Sequence, residues 1–167
     1  MLIKSKDSYR LEEWGGFLVV RVMEESHCPI CQAVLFMRAT RERVWWLGNE
    51  VKQILLIRRL FCEDCERIHH EIPDCLVPYK RYGADVIENI VSNIKTLPCP
   101  ASTASRIRGW WNAVKPYFFH ILMTLVERFG VSFGSPPDFR EKMRAVANSN
   151  NWIFAHEVCT RSVNAVN

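Results

Sequence analysis

The sequence predicts an α+β protein, a small antiparallel zinc-ribbon sheet followed by a helical part that contains a helix-turn-helix-like pair. Three observations predict it. Cys28-Pro29-Ile30-Cys31 and Cys62-Glu63-Asp64-Cys65 are two CxxC pairs, and two such turns complete the tetrahedron that holds structural zinc. Between them lie runs of branched apolar residues that suit strands. Beyond residue 83 apolar residues recur at helical spacing instead. The expected division is 1–76, a zinc ribbon with an N-terminal accessory strand, and 77–167, a helical region with the helix-turn-helix-like segment at 83–115.

Residues 1–27 read as an accessory layer. Phe17-Leu18-Val19-Val20-Arg21-Val22-Met23 is a predicted strand, with Gly15-Gly16 as the turn before it, added to an edge of the ribbon sheet. His27 adjoins Cys28; with four cysteines at hand it reads as an exposed loop residue rather than an alternative ligand. Ala33 to Met37 is a short strand, and Arg38, Arg41 and Arg43 form a polar connection. Val44-Trp45-Trp46-Leu47 then runs into Gly48-Asn49, a turn pair that tolerates positive φ, and Val51 to Phe61 returns.

Gln32 and Glu66 follow the two knuckles, where the backbone often wants glycine at positive φ; a side chain there costs on the order of 1 kcal/mol, which metal binding can offset. Trp45 and Trp46 beside Arg58-Arg59 could present a basic-aromatic surface to nucleic acid, but covering a sheet too small for its own core is the preferred reading. His69 and His70 follow Cys65 closely and have no evident acidic or nucleophilic partner. They read as strand residues flanking the site.

The same cysteines in a secreted chain would be read as disulfides. Lys4 and Lys6 lead into Asp7, Ser8, Tyr9 and Arg10 with no apolar core of a leader. A reducing cytoplasm is therefore expected, where paired CxxC motifs usually mean metal. No apolar run approaches the ~20 residues that cross a bilayer, so the protein is expected to be soluble, without a membrane partner.

The helical part begins after Leu76-Val77-Pro78-Tyr79-Lys80-Arg81-Tyr82, a linker that Pro73 and Pro78 keep extended. Ala84, Ile87, Ile90, Val91 and Ile94 predict a helix over 84–95, stopped by Leu97-Pro98-Cys99-Pro100. Ser102-Thr103 offers an N-cap for a helix over 103–115 on Ile107, Trp110, Trp111 and Val114. Pro116 suits the first turn of another helix over 116–129, whose stripe from Tyr117 to Phe129 ends at Gly130. That stripe reads as core, with a dimer face as the runner-up. A last helix is expected over 138–148, and Trp152-Ile153-Phe154 must dock somewhere. Cys75, Cys99 and Cys159 are expected to be unpaired, buried small hydrophobes.

The net charge of +4 is unevenly spread. The excess falls in residues 77–115, where Lys80, Arg81, Lys95, Arg106, Arg108 and Lys115 face only Asp85 and Glu88. A local basic excess is the footprint expected where a chain meets phosphates. If the 103–115 helix entered a major groove, Ser102, Thr103, Ser105 and Arg106 would lie near base edges, with Lys80, Arg81 and Arg108 on phosphates. The expected function is a DNA-binding accessory or regulatory protein. The alternative is an adaptor docking a transposase or polymerase partner through the ribbon and the 117–129 helix. No phosphate loop, nucleophile elbow or HExxH motif occurs, and four cysteines would close the zinc shell, so neither catalysis nor a small-molecule substrate is expected.

The stretches Cys28-Pro29-Ile30-Cys31, Ile57-Arg58-Arg59-Leu60-Phe61-Cys62, Ile68-His69-His70-Glu71-Ile72-Pro73-Asp74 and Leu76-Val77-Pro78-Tyr79-Lys80-Arg81-Tyr82 together carry a resemblance. The chain resembles a bacterial family of small zinc-ribbon proteins without an established activity, many of them encoded with mobile elements. More loosely, it is similar to the zinc-ribbon and helix-turn-helix front ends of some transposases. Cys99-Pro100-Ala101-Ser102-Thr103-Ala104-Ser105-Arg106-Ile107-Arg108-Gly109-Trp110 follows the family's second-helix pattern, with Gly109 where Arg is expected. The resemblance covers residues 28 to about 112. It implies association with a transposable element and a transposase encoded nearby as partner.

Overall fold

A computed structural model describes residues 1–48, 50–92, 99–134 and 138–149. In chain order the elements are β1 (Leu2–Lys4), a 3-10 turn (Lys6–Ser8), β2 (Tyr9–Trp14), β3 (Phe17–Val22), β4 (Phe36–Gly48), β5 (Val51–Cys62), β6 (Arg67–Pro73), α1 (Ala84–Val91), α2 (Ala101–Phe129) and α3 (Phe139–Asn148). The strands form one mixed sheet in the order β1-β6-β5-β3-β2, with β4 also paired to β5.

β5 is the hub because both of its edges are used. β4 runs antiparallel along one edge, from Phe36↔Phe61 to Gly48↔Val51. The other edge is divided: β3 pairs parallel at Leu55 and Leu56, and β6 pairs antiparallel from Arg58↔Glu71 to Cys62↔Arg67. Two strands sharing one edge must splay, and the sheet curls into a half-barrel. The expected small antiparallel zinc ribbon is therefore corrected to a six-stranded mixed sheet. Alternating apolar residues mark a strand but name neither its partner nor its direction. Here β1 joins β6 and β3 joins β5, both in parallel, so the N-terminal segment is part of the main sheet. Arg38, Arg41 and Arg43, expected in a connection, lie inside β4.

Gly15 and Gly16 close the β2–β3 hairpin at φ 56° and 82°, the double positive φ that a two-residue hairpin turn requires. Another glycine is fixed by packing. Gly83 donates its N–H to the Trp46 carbonyl, and a Cβ there would stand 2.6 Å from Trp45 Nε1. A rigid indole cannot give way as a flexible chain end would. Gly83→Ala is expected to lower stability by about 1–3 kcal/mol, the usual cost of overpacking, read as a lower midpoint in urea.

The helices also depart from expectation. Those placed at 103–115 and 116–129 are one helix, α2, with Pro116 inside it. A proline usually ends a helix because it removes an N–H and crowds the carbonyl four residues earlier. That carbonyl belongs to Asn112, and both Asn112 and Pro116 lie on the exposed face, where water can take the lost bond. Ser102 and Thr103 fall inside the first turn, since Pro100 occupies the N-cap position. The paired short helices of a helix-turn-helix are accordingly replaced by an eight-residue α1 and a 29-residue α2. Of the predicted residues 92–95 of the first helix, Ser92 is the α1 C-cap and 93–95 lie outside the described residues, as do Asn49, Trp152-Ile153-Phe154 and Cys159. α2 ends at Gly130 with φ 63°, and α3 matches its expected span, capped by the Asp138 carboxylate accepting from the Arg140 N–H.

Two larger cores result. One gathers Val77, Ile87, Ile90, Trp111, Phe118 and Met143 among the helices. The other joins Ile3, Val20, Leu55, Ile57 and Ile72 of the sheet to Ala147 of α3. α3 connects them: Asn148 accepts from the Ile3 N–H at 2.7 Å and donates to the Ile3 carbonyl at 3.0 Å.

Candidate metal centre

A third, small core lies at the far end of β5 and contains Leu2, Leu35 and Leu60 with Cys28 and Cys62. Cys62 ends β5 and Cys65 lies in the turn to β6, so strand pairing sets the second knuckle. The first is a loop tied to itself. The Gln32 N–H reaches the Cys28 carbonyl at 2.9 Å, the Cys28 N–H reaches that of Ala33 at 2.8 Å, and the Ile30 N–H points at Cys28 Sγ from 3.4 Å. Gln32 and Glu66 have φ 66° and 52°, the left-handed conformation expected after a knuckle despite the missing glycines.

The four sulfurs of Cys28, Cys31, Cys62 and Cys65 all lie within 4.8 Å of one another. Cys31 and Cys62 are 3.5 Å apart, and Cys28 and Cys65 are 3.9 Å apart. A tetrahedral ion with metal–sulfur bonds of ~2.3 Å would set its sulfurs about 3.8 Å apart. The cluster thus has the size of a metal tetrahedron, and its donors are a possible metal site.

The electrostatics agree with that chemistry. Burial opposes charge on Cys28, but the N–H groups of Cys31 and Ile30 and the neighbouring thiols outweigh it and bring its pKa down to about 7. Cys65 is pushed up to about 12, first by hydrogen bonding with Cys31 and then by burial, and burial raises Cys62 as well. Cys28 ionises most readily, while Cys62 and Cys65 resist ionisation beside it. A divalent cation supplies the opposite charge that full ionisation needs.

His69 and His70 are strand residues of β6, and their side chains leave on opposite faces. His69 is buried with Nε2 3.5 Å from Cys28 Sγ, and burial holds its pKa below the ordinary value. It remains neutral beside the sulfur. His27 is exposed, as expected of a loop residue, although its backbone bridges to Val34.

A polar group that sequence reasoning missed anchors the first knuckle. Glu71 is 1% exposed and accepts from Arg58 Nε at 2.6 Å and from the Ser26 hydroxyl. Arg58 also donates to the Ser26 oxygen at 3.3 Å. Ser26 stands two residues before Cys28, so the buried carboxylate fixes where the loop enters the site. The signal for it is Glu71 in a predicted strand, a lone carboxylate between His70 and Ile72, opposite Arg58.

The seven residues expected at DNA divide into two groups. Ser102, Ser105, Arg106 and Arg81 are exposed, and Thr103 is half-buried and accepts from Arg106 at 3.3 Å. Lys80 lies over the Trp110 ring with Nζ 4.0 Å from its centroid, and Arg108 donates to the Ile90 carbonyl of α1 at 3.2 Å. Those two cations hold the helical part together. Cys75 is buried and Cys99 is half-buried, both as free thiols. Among the described residues no helix is long and apolar enough to cross a membrane.

A protein-family model described as a domain of unknown function, DUF6431, matches residues 28–110. The match opens on the first cysteine of the cluster and spans all four, then β4 to β6, α1 and the first turns of α2. No curated protein and no solved structure matches the chain.

Proposed function

We propose that the protein is a DNA-binding accessory or regulatory protein whose four-cysteine centre holds one structural zinc ion. The metal reading rests on donor chemistry: four cysteine sulfurs at tetrahedral spacing form the set that structural zinc takes. When bound, the ion would supply folding energy rather than chemistry.

One observation carries the DNA reading. Ser102, Ser105 and Arg106 stand exposed in the N-terminal turns of α2. Farther along, Gly109 leaves open space where an added Cβ would meet nothing within 4 Å. A helix surface with small polar groups, one arginine and a bare position can approach base edges closely. Because Lys80 and Arg108 are engaged inside the protein, phosphate contacts fall to the exposed Arg81 and Lys115.

Gel-shift titration of the zinc-loaded protein against a pool of duplexes tests this. Arg106→Ala is expected to cost about 1–3 kcal/mol on the preferred site and to blunt sequence preference. Lys115→Ala should weaken binding to all sequences alike and reduce the salt slope by about one. Wild-type protein without salt-sensitive DNA binding sinks the reading.

A second reading, an adaptor for a protein such as a nearby-encoded transposase, is favoured by one feature. Phe119, Met123 and Val126 recur on the outer face of α2, 41%, 53% and 41% exposed, with Phe129 beyond them at 72%. Met123→Glu discriminates, because Met123 is exposed and the change spares the core: under the adaptor reading it should abolish partner capture, and under the DNA reading it should leave duplex binding intact.

A further inference from the structure

The sheet face opposite the sulfur cluster carries a cavity that neither the metal centre nor the exposed face of α2 uses. It encloses about 350 Å³ and is lined by Arg41, Arg43, His70 and Tyr79 over Ile57 and Ile72, among others. Strand register explains why cations collect there. Arg41 lies opposite Ile57, Arg43 opposite Leu55, and Arg59 opposite both Ala39 and His70. Successive side chains alternate between faces, so Arg41, Arg43, Arg59 and His70 share one face, while Arg58, Cys62, His69 and Glu71 take the other.

Among the described residues no aspartate or glutamate lines the cavity to balance this positive charge. Arg43 donates to the uncharged carbonyl of Lys80 at 2.9 Å, and Arg59 Nε is buried with no hydrogen-bond partner among the described residues. His70 feels the same field: burial first, then Arg41, Arg59 and Arg43, hold its pKa below the ordinary value. Like charges across neighbouring strands, and a buried N–H without an acceptor, both cost stability unless something compensates them. At the rim, Tyr79 has φ 62°, a conformation uncommon for an aromatic residue and concentrated at ligand sites.

We propose that this cavity binds a small organic phosphomonoester, with its phosphate on Arg41 and Arg43 in the field of Arg59 and its apolar part against Ile57, Ile72 and Tyr79. Guanidinium groups match phosphate oxygens in geometry and number of donors. The volume lies at the small end of ligand pockets, enough for a phosphate and one ring system. A free nucleoside monophosphate and the 5′-phosphate of a nucleic-acid strand present this same chemistry. The inference does not depend on α2 binding DNA.

Calorimetric titration of the full, metal-loaded chain tests it with four probes: inorganic phosphate, a nucleoside 5′-monophosphate, the unphosphorylated nucleoside and a 5′-phosphorylated dinucleotide. The expected result is saturable binding of the monophosphate, weaker binding of inorganic phosphate and none of the nucleoside. The dinucleotide reports the source: binding tighter than the monophosphate assigns a strand end, and weaker binding assigns a free metabolite. Arg41 is exposed, so Arg41→Glu should preserve the melting temperature and weaken binding at least about tenfold, equivalent to 1.4 kcal/mol. Arg38 is on the same strand but does not line the cavity, and Arg38→Glu should leave binding unchanged. Absence of binding by every phosphorylated probe up to about 10 mM, a regime weaker than any specific site, overturns the proposal. Equal losses in the two variants overturn it too, since they would reduce the effect to general surface charge.

Discussion

Cys62→Ser is expected to abolish stoichiometric metal binding and to unfold the sheet around β5. Cys62 is fully buried, ends the hub strand and is 3.5 Å from Cys31 Sγ. The core that holds it has few other apolar residues, chiefly Leu2, Leu35 and Leu60, so the metal must supply much of its cohesion. Structural zinc contributes roughly 10–16 kcal/mol of apparent binding energy at neutral pH, comparable to or larger than the whole stability of an ordinary domain. Elemental analysis of reduced protein should find one ion per wild-type chain and none in the variant, with loss of near-ultraviolet circular dichroism. A strong chelator should do the same to the wild type. A metal-stripped protein that melts at the wild-type temperature would count decisively against the site.

Acid should mimic the chelator. The metal-bound form requires thiolates, so bound cysteines have pKa values depressed below those of the unfolded chain. Stability from a depressed acid is present above the unfolded pKa and is lost as pH falls through the folded one. Even without metal, Cys28 is brought down to about 7, and metal depresses it further. The holo protein should therefore be stable at neutral pH and release its ion on acidification below pH 7. In the metal-free protein Cys65, raised to about 12, acts in the opposite direction: its contribution is present below the unfolded pKa near 9 and is lost as pH rises toward about 12.

How much of this was legible depended on the range of each signal. The four cysteines, the turn at Gly15-Gly16, the strands at 17–22 and 51–62 and the helix at 139–148 could be read because chemistry or periodicity a few residues long determines them. The left-handed Gln32 and Glu66 were legible for the same reason. Strand partners were not. The parallel pairing of β1 with β6 joins residues 2–4 to 71–73, and nothing within either run specifies the other. The charge of Arg38, Arg41 and Arg43 outweighs the strand pattern in the sequence, yet all three lie in β4, where Arg41 and Arg43 share one sheet face. Pro116 misled in a different way. Its local rule was sound, but solvent on the Asn112 side of α2 relaxed it.

The buried Glu71 is expected to make Arg58 the most sensitive cation in the sheet. Two ion pairs in this protein look alike by distance: Arg21 Nε to Glu12 at 3.0 Å and Arg58 Nε to Glu71 at 2.6 Å. Their surroundings differ. The first pair is 63% and 55% exposed, the second 22% and 1%. Exposed pairs contribute at most about 1 kcal/mol, so Arg21→Ala should hardly move the urea midpoint. Arg58→Ala leaves a carboxylate in the interior with only the Ser26 hydroxyl and Lys4 at 3.9 Å, and removing one partner of a buried pair costs about 3–5 kcal/mol. Glu71 also positions Ser26 before the first knuckle, so metal affinity should fall by about 10–100-fold, as it does when groups behind metal ligands are lost. The double variant Arg58→Met, Glu71→Leu separates the two effects. It removes the stranded charge and should recover most of the stability, while the metal affinity should stay low because the Ser26 hydroxyl then loses both Glu71 and Arg58. Recovery of both together would mean that Glu71 serves the core alone and has no part in placing the metal loop.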